Sequence, residues 1–142
     1  GITPMHSTFR MLAQLSARQQ LPASLQLVRL MWIGRSMSLF HIFLDSLTEC
    51  LCPGRFEVVL HLSSVDELNA TSGEGLPTPA QGLRLLPGRP SFDILFDSLE
   101  HDYQQHGRIL VKACGPEPLI RASQKSAFCH KHLVYESEGF VL

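Results

Sequence analysis

Residues 108–120 read "RILVKACGPEPLI". A β-branched apolar run stops at Cys114, followed by Gly115, which has no side chain, and Pro116, which has no N–H. Pro116 and Pro118 then suit the first turn of a helix over "PEPLIRASQKSAFCH" (116–130). Three further runs resemble the first: "LQLVRLMWI" (25–33), "FEVVLHLS" (56–63) and "HLVYES" (132–137). All are short, apolar and rich in strand-favouring residues.

The segments between them carry helical spacing. In "TPMHSTFRMLAQLSARQQ" (3–20), Met5, Phe9, Leu12 and Leu15 share a face and Pro4 suits the first turn. "SMSLFHIFLDSLTEC" (36–50) repeats the pattern with Leu39, Phe43 and Leu47 behind Ser36 or Ser38 as cap. "SFDILFDSLEHDYQQHG" (91–107) has Ser91 as cap, a stripe of Ile94, Leu95, Leu99 and Tyr103, and Gly107 as stop. Strands alternating with helices predict an α/β domain: a three-layer, doubly wound parallel sheet spanning residues 1–142. Residues 64–87 crowd Gly, Pro, Ser and Thr and are expected to be a long surface loop.

Composition excludes several classes. The chain has 142 residues, 12 Lys and Arg, 13 Asp and Glu, and a net charge of −1, so no basic excess points to nucleic acid. No apolar stretch is long enough to span a bilayer, which leads us to expect a soluble piece without membrane contact of its own. Cys50 and Cys52 form C-x-C rather than a zinc knuckle, and the seven histidines show no metal-ligand spacing. Reduced thiols and no metal are expected. Neither a G-x-S-x-G elbow nor a complete phosphate loop is present in the sequence. The opening "GITPMHSTFR" lacks both an initiator Met and a signal peptide, so a fragment of a longer protein is expected.

Open parallel sheets bind ligands outside the carboxyl ends of their strands. That rule selects four places here. Just ahead of Pro4, Gly1, Ile2 and Thr3 offer backbone N–H groups and the Thr3 hydroxyl at a positive helix end, or form a plain helix start capped by Thr3. Arg35, with Ser36, follows a strand and can fork onto a phosphate, or is an ordinary surface arginine. Arg89 in "PGRPSF" can hold a ribose or phosphate, or belongs to a turn in which Pro90 fixes a helix entry. At "ACGP", Cys114 and Gly115 let a flat ligand approach the backbone, or Cys114 is a buried small hydrophobe, as Cys129 is expected to be.

The ordered set "GITPM", "LMWIGRS", "GRP" and "ACGPEPL" resembles the C-terminal NAD(P)H-binding domain of the ferredoxin–NADP reductase superfamily, in its ferric reductase and NADPH oxidase branch. The resemblance implies that Gly1, Ile2, Thr3 and Pro4 cradle the dinucleotide pyrophosphate. It implies that Arg35, with Ser36 nearby, and Arg89 hold the adenosine ribose or its 2′-phosphate. Cys114, Gly115 and Pro116, with Glu117 nearby, would lie beside the nicotinamide, Cys114 nearest the hydride, and Phe140 is the nearest match to a terminal flavin-stacking aromatic. NADPH or NADH is the implied cofactor, with FAD and haem in the parent protein and its flavin domain as partner, at the cytosolic face of a membrane.

Three departures accompany it. The family's opening strand, central in its sheet, precedes Gly1, so its loss is expected to leave a gap or force re-pairing. No R-x-Y-[ST] flavin motif occurs, and the chain ends "EGFVL". The fragment alone is therefore expected to be inactive. A soluble NADH-dependent reductase domain of the same superfamily, and an α/β interaction module without nucleotide, are the competing expectations.

Overall fold

A computed structural model describes residues 2–64, 81–103, 105 and 107–139. These form two compact units, Thr3–Arg89 and a second that groups Ile2 with the residues from Pro90 onward.

In the first unit, α1 (Ile2–Ala17), β1 (Val28–Gly34), α2 (Met37–Cys50), β2 (Phe56–Leu62) and β3 (Leu83–Pro87) follow one another. The strands form one parallel sheet in the order β1-β2-β3, with Gly34, Leu62 and Pro87 in line. β2 is the central strand, and its almost unbroken apolar run is what burial on both faces requires. Val58, Val59, Leu60 and Leu62 are at most 1% exposed. On one face, Trp32 meets Phe40 and Phe43 of α2 edge-on, at ring separations of 4.9 and 5.8 Å. Phe9 of α1 meets Phe56 at 5.7 Å on that side. α1 is tied to α2 where His6 Nε2 lies 2.5 Å from Ser46 Oγ. Ser46 spends its own proton on the Phe43 carbonyl at 3.1 Å, so the imidazole is the donor. Burial first, and then the charge of Arg10, hold His6 below its ordinary value, consistent with a neutral ring.

The second unit contains α3 (Phe92–Tyr103), β4 (Ile109–Gly115), α4 (Glu117–Ala127) and β5 (Leu133–Gly139). β4 and β5 pair in parallel through the α4 crossover. The Tyr135 hydroxyl donates to the Ile120 carbonyl at 3.2 Å and lies 2.6 Å from Ser123 Oγ, which fixes α4 over the Val111–Tyr135 face. Alternation turns Leu110, Lys112 and Cys114 to the opposite face. α3 joins α4 through Ser126 Oγ to Asp93, at 2.5 Å, and His130 Nε2 to Asp97, at 2.6 Å.

The α/β class and the parallel pairing are as expected, and each expected strand begins within three residues of the observed one. The loop expected over 64–87 needs correction: its end, Leu83–Pro87, is a strand, while residues 65–80 lie outside the described residues. The strands occupy two sheets, and among the described residues β1 and β4 each have a partner on one edge only. The helix stripes shift as well. Leu39 and Ile94 are 46% and 69% exposed, and Phe40 and Phe96 are buried in their place.

Candidate nucleotide-binding edges

The aligned strand ends of the first unit release the chain side by side at Arg35, Ser63 and Gly88. Neighbouring strands lie about 4.8 Å apart, so the exits of β1 and β3 are separated by roughly 10 Å along the carboxyl edge. Arg35 and Arg89 are both exposed there. Neither guanidinium pairs with another described residue. Ser36 is the α2 N-cap, with φ −135 and ψ 138, and its Oγ accepts from the Ser38 N–H at 3.1 Å. Its hydroxyl also touches that of Ser38. Gly34 is dictated by packing, because a Cβ there would come within 2.7 Å of the Phe40 ring.

Two residues that the sequence reading passed over organise this edge. Ser63 donates its N–H to the Gly34 carbonyl at 2.8 Å and its hydroxyl to the same oxygen at 3.3 Å, closing β1 onto β2. His61, 7% exposed, has Nδ1 3.1 Å from the Gly88 carbonyl. Burial, with the charge of Arg84 adding to it, holds His61 below its ordinary value against the opposing pull of that carbonyl. The available signal was position: a polar residue at the carboxyl end of a central parallel strand.

Ile2, Thr3 and Pro4 lie in the first turn of α1 rather than in a turn before it, with Thr3 exposed. The Pro4 carbonyl accepts from Thr8 Oγ1 at 2.9 Å. Thr3, Pro4, Arg35, Ser36 and Arg89 therefore share one unit.

The second unit has its own carboxyl edge. β4 ends on Cys114 and Gly115, and Pro116, with φ −65 and ψ 153, stands at the N-cap of α4 without a side-chain cap. The Pro116 carbonyl accepts from the N–H groups of Leu119 and Ile120, at 3.0 and 3.2 Å. Glu117 pairs with Arg121 one helical turn on, both well exposed. Cys114 is a half-buried free thiol. The fold does not demand glycine at 115. Its φ is not positive, and an added methyl would press only on the flexible end of Leu119, at 3.3 Å.

Arg35 and Arg89 thus lie on the carboxyl edge of the first unit, and the Cys-Gly-Pro turn on that of the second. The family described as ferric reductase NAD binding domain matches residues 1–128. The chain belongs to this family. It is the NAD(P)H-binding part of a ferric reductase-like oxidoreductase. None of the curated proteins compared with it matches. The donor set fits a pyridine nucleotide, since two exposed guanidiniums on one edge, unpaired among the described residues, suit its phosphates.

Gly1 and Phe140 lie outside the described residues. Cys129 is exposed, not the buried hydrophobe expected, because it follows the end of α4. Among the described residues, no group of three or more His, Cys, Asp and Glu could hold a metal, and no helix is long and apolar enough to cross a membrane.

Proposed function

We propose that residues 1–142 serve as one nucleotide-binding domain that presents NAD(P)H for hydride transfer to FAD in a larger flavoprotein, with onward electron transfer to haem or another acceptor. The observation that carries this reading is the pair of exposed arginines, Arg35 and Arg89, unpaired among the described residues, on one carboxyl edge of a parallel sheet. Bound nucleotide supplies a hydride from nicotinamide C4 to flavin N5. The chain's own residues bind and orient.

Arg35 and Arg89 hold the adenosine ribose and its phosphate, and Ser36 fixes the entry of α2 beside Arg35. Ile2 and Thr3 present first-turn N–H groups of α1 to the pyrophosphate, where the helix end is positive, with Gly1 before them and Pro4 after them in the sequence. Cys114, Gly115 and Pro116 form the nicotinamide platform, with Glu117 beside it and Phe140 on the flavin side. Cys114 bears no charge change in this step; it contacts the ring that gives up the hydride. The parent protein works at the cytosolic face of a membrane, with its flavin domain as the partner.

Titration of the full-length protein with NADPH and NADH tests the reading. Saturable binding weakened about tenfold by Arg35→Ala, equivalent to about 1.4 kcal/mol, is expected. Absence of binding to either nucleotide contradicts it.

A further inference from the structure

The carboxyl edge of the first unit contains one buried polar side chain to which nucleotide binding assigns no role. His61 is 7% exposed and stands next to the last residue of β2, the central strand. Its Nδ1 lies 3.1 Å from the Gly88 carbonyl, and a carbonyl can only accept, so Nδ1 carries the proton. The other polar group of Gly88, its N–H, donates to the Leu62 carbonyl at 2.8 Å. β2 thus grips both polar groups of Gly88. The glycine also has a φ of +73, a conformation that residues with a Cβ rarely adopt. Arg89 comes next in the chain.

We propose that His61 is a positioning residue: by holding the Gly88 carbonyl, it fixes the direction in which the chain presents Arg89 to the adenosine end of a bound pyridine nucleotide. This rests on the nucleotide reading given above. A neutral ring anchors the turn without itself attracting a phosphate, so its contribution is geometric and passes through Arg89. Burial that disfavours the charged form agrees with this. With the ring donor gone, Gly88 keeps only its backbone bond to Leu62, and the carbonyl is free to rotate about it.

The experiment is a titration of the full-length protein with 2′,5′-ADP, a probe of the adenosine end alone. His61→Phe keeps a ring of similar size and removes the donor; His61→Leu is the second donor-less variant, used if the first fails to fold. Expected are saturable binding by the wild type, about tenfold weaker binding by His61→Phe, and recovery of most of that loss by His61→Asn, which restores an amide donor near Nδ1. In an Arg89→Ala background, His61→Phe should change affinity by less than twofold, because a direction matters only when the arginine is present. Equal weakening in both backgrounds overturns the proposal, since His61 would then act through the fold and not through Arg89. Undiminished binding by His61→Phe overturns it too, as does an Arg89→Ala variant that binds as the wild type does. A wild type that binds neither 2′,5′-ADP nor NADPH removes the nucleotide reading itself, which separates that failure from the others.

Discussion

His130 joins the C-terminal end of α4 to α3, and its surroundings favour its charged form. Nδ1 lies 2.9 Å from the Ser126 carbonyl and Nε2 2.6 Å from an Asp97 carboxylate oxygen. Neither a carbonyl nor an ionised carboxylate donates, so making both hydrogen bonds at once takes a proton on each nitrogen. The hydrogen bond to Asp97, then that to Ser126, raise His130 above its ordinary value of 6.5, against the cost of burial. Glu100 also faces it, and accepts from the His132 backbone N–H at 3.3 Å. A group with a raised folded value contributes stability that is fully present below the unfolded value, about 6.5, and is lost as pH rises through the folded one.

The ordinary hydrogen bond is worth about 1 kcal/mol and the charge-assisted one about 1.5–3. Asp97 is 74% exposed, so solvent screening takes the second to its lower end or below. His130→Ala should therefore cost about 2 kcal/mol near pH 6. Above the raised value it should cost roughly 1 kcal/mol, because the neutral ring keeps one hydrogen bond and its edge contact with Phe96. Urea unfolding of the wild type and the variant from pH 5.5 to 9, read through amide exchange in α3, measures the difference. The subtraction matters because His6 and His61, both lowered, lose stability in the opposite direction, as pH falls below about 6.5. Asp97→Asn keeps an acceptor but removes the charge, and should flatten the profile. A wild-type-minus-variant difference that stays constant or grows toward pH 9 would refute the argument.

Three further outcomes follow from single contacts. Gly34→Ala should cost about 1–3 kcal/mol in urea unfolding, because its methyl would meet the fully buried Phe40 ring 2.7 Å away. Gly115→Ala should leave unfolding within about 0.5 kcal/mol, since only the end of Leu119 must move, yet lower nucleotide-dependent flavin reduction about tenfold in the full-length protein. Loss of both stability and activity would instead make Gly115 a packing residue. Glu57→Gln should destabilise by about 1 kcal/mol and more at low salt, because the half-buried Arg29 donates Nε and Nη2 to one Glu57 oxygen at 3.1 and 2.9 Å.

The strands were legible because a central parallel strand is mostly apolar, as "FEVVLHL" is but for Glu57 and His61, and because Gly and Pro punctuate their ends. β3 was hidden by its setting: five residues, "LRLLP", close a segment dense in turn-forming residues, and only pairing with β2 makes them a strand. In α2 the run "LFHIFL" fits two apolar stripes equally well by periodicity. The bare Gly34 on β1 chooses between them by admitting Phe40, a tertiary fact absent from helix spacing. Arg35 and Arg89 were legible as residues just beyond strand ends. That both stand on one edge needed the register of β1, β2 and β3. His61 escaped because a lone histidine inside a β-run reads as core, and its partner lies 27 residues away.

Fluorescence titration of the full-length protein with NADPH, repeated for Arg35→Ala, Arg89→Ala and the double variant, addresses the nucleotide-binding edge most directly. Saturable binding that falls about tenfold with each single change, and further with both, is the predicted result. Binding of wild-type strength in the double variant, or none in the wild type, would contradict the assignment of that edge to the adenosine end of NAD(P)H.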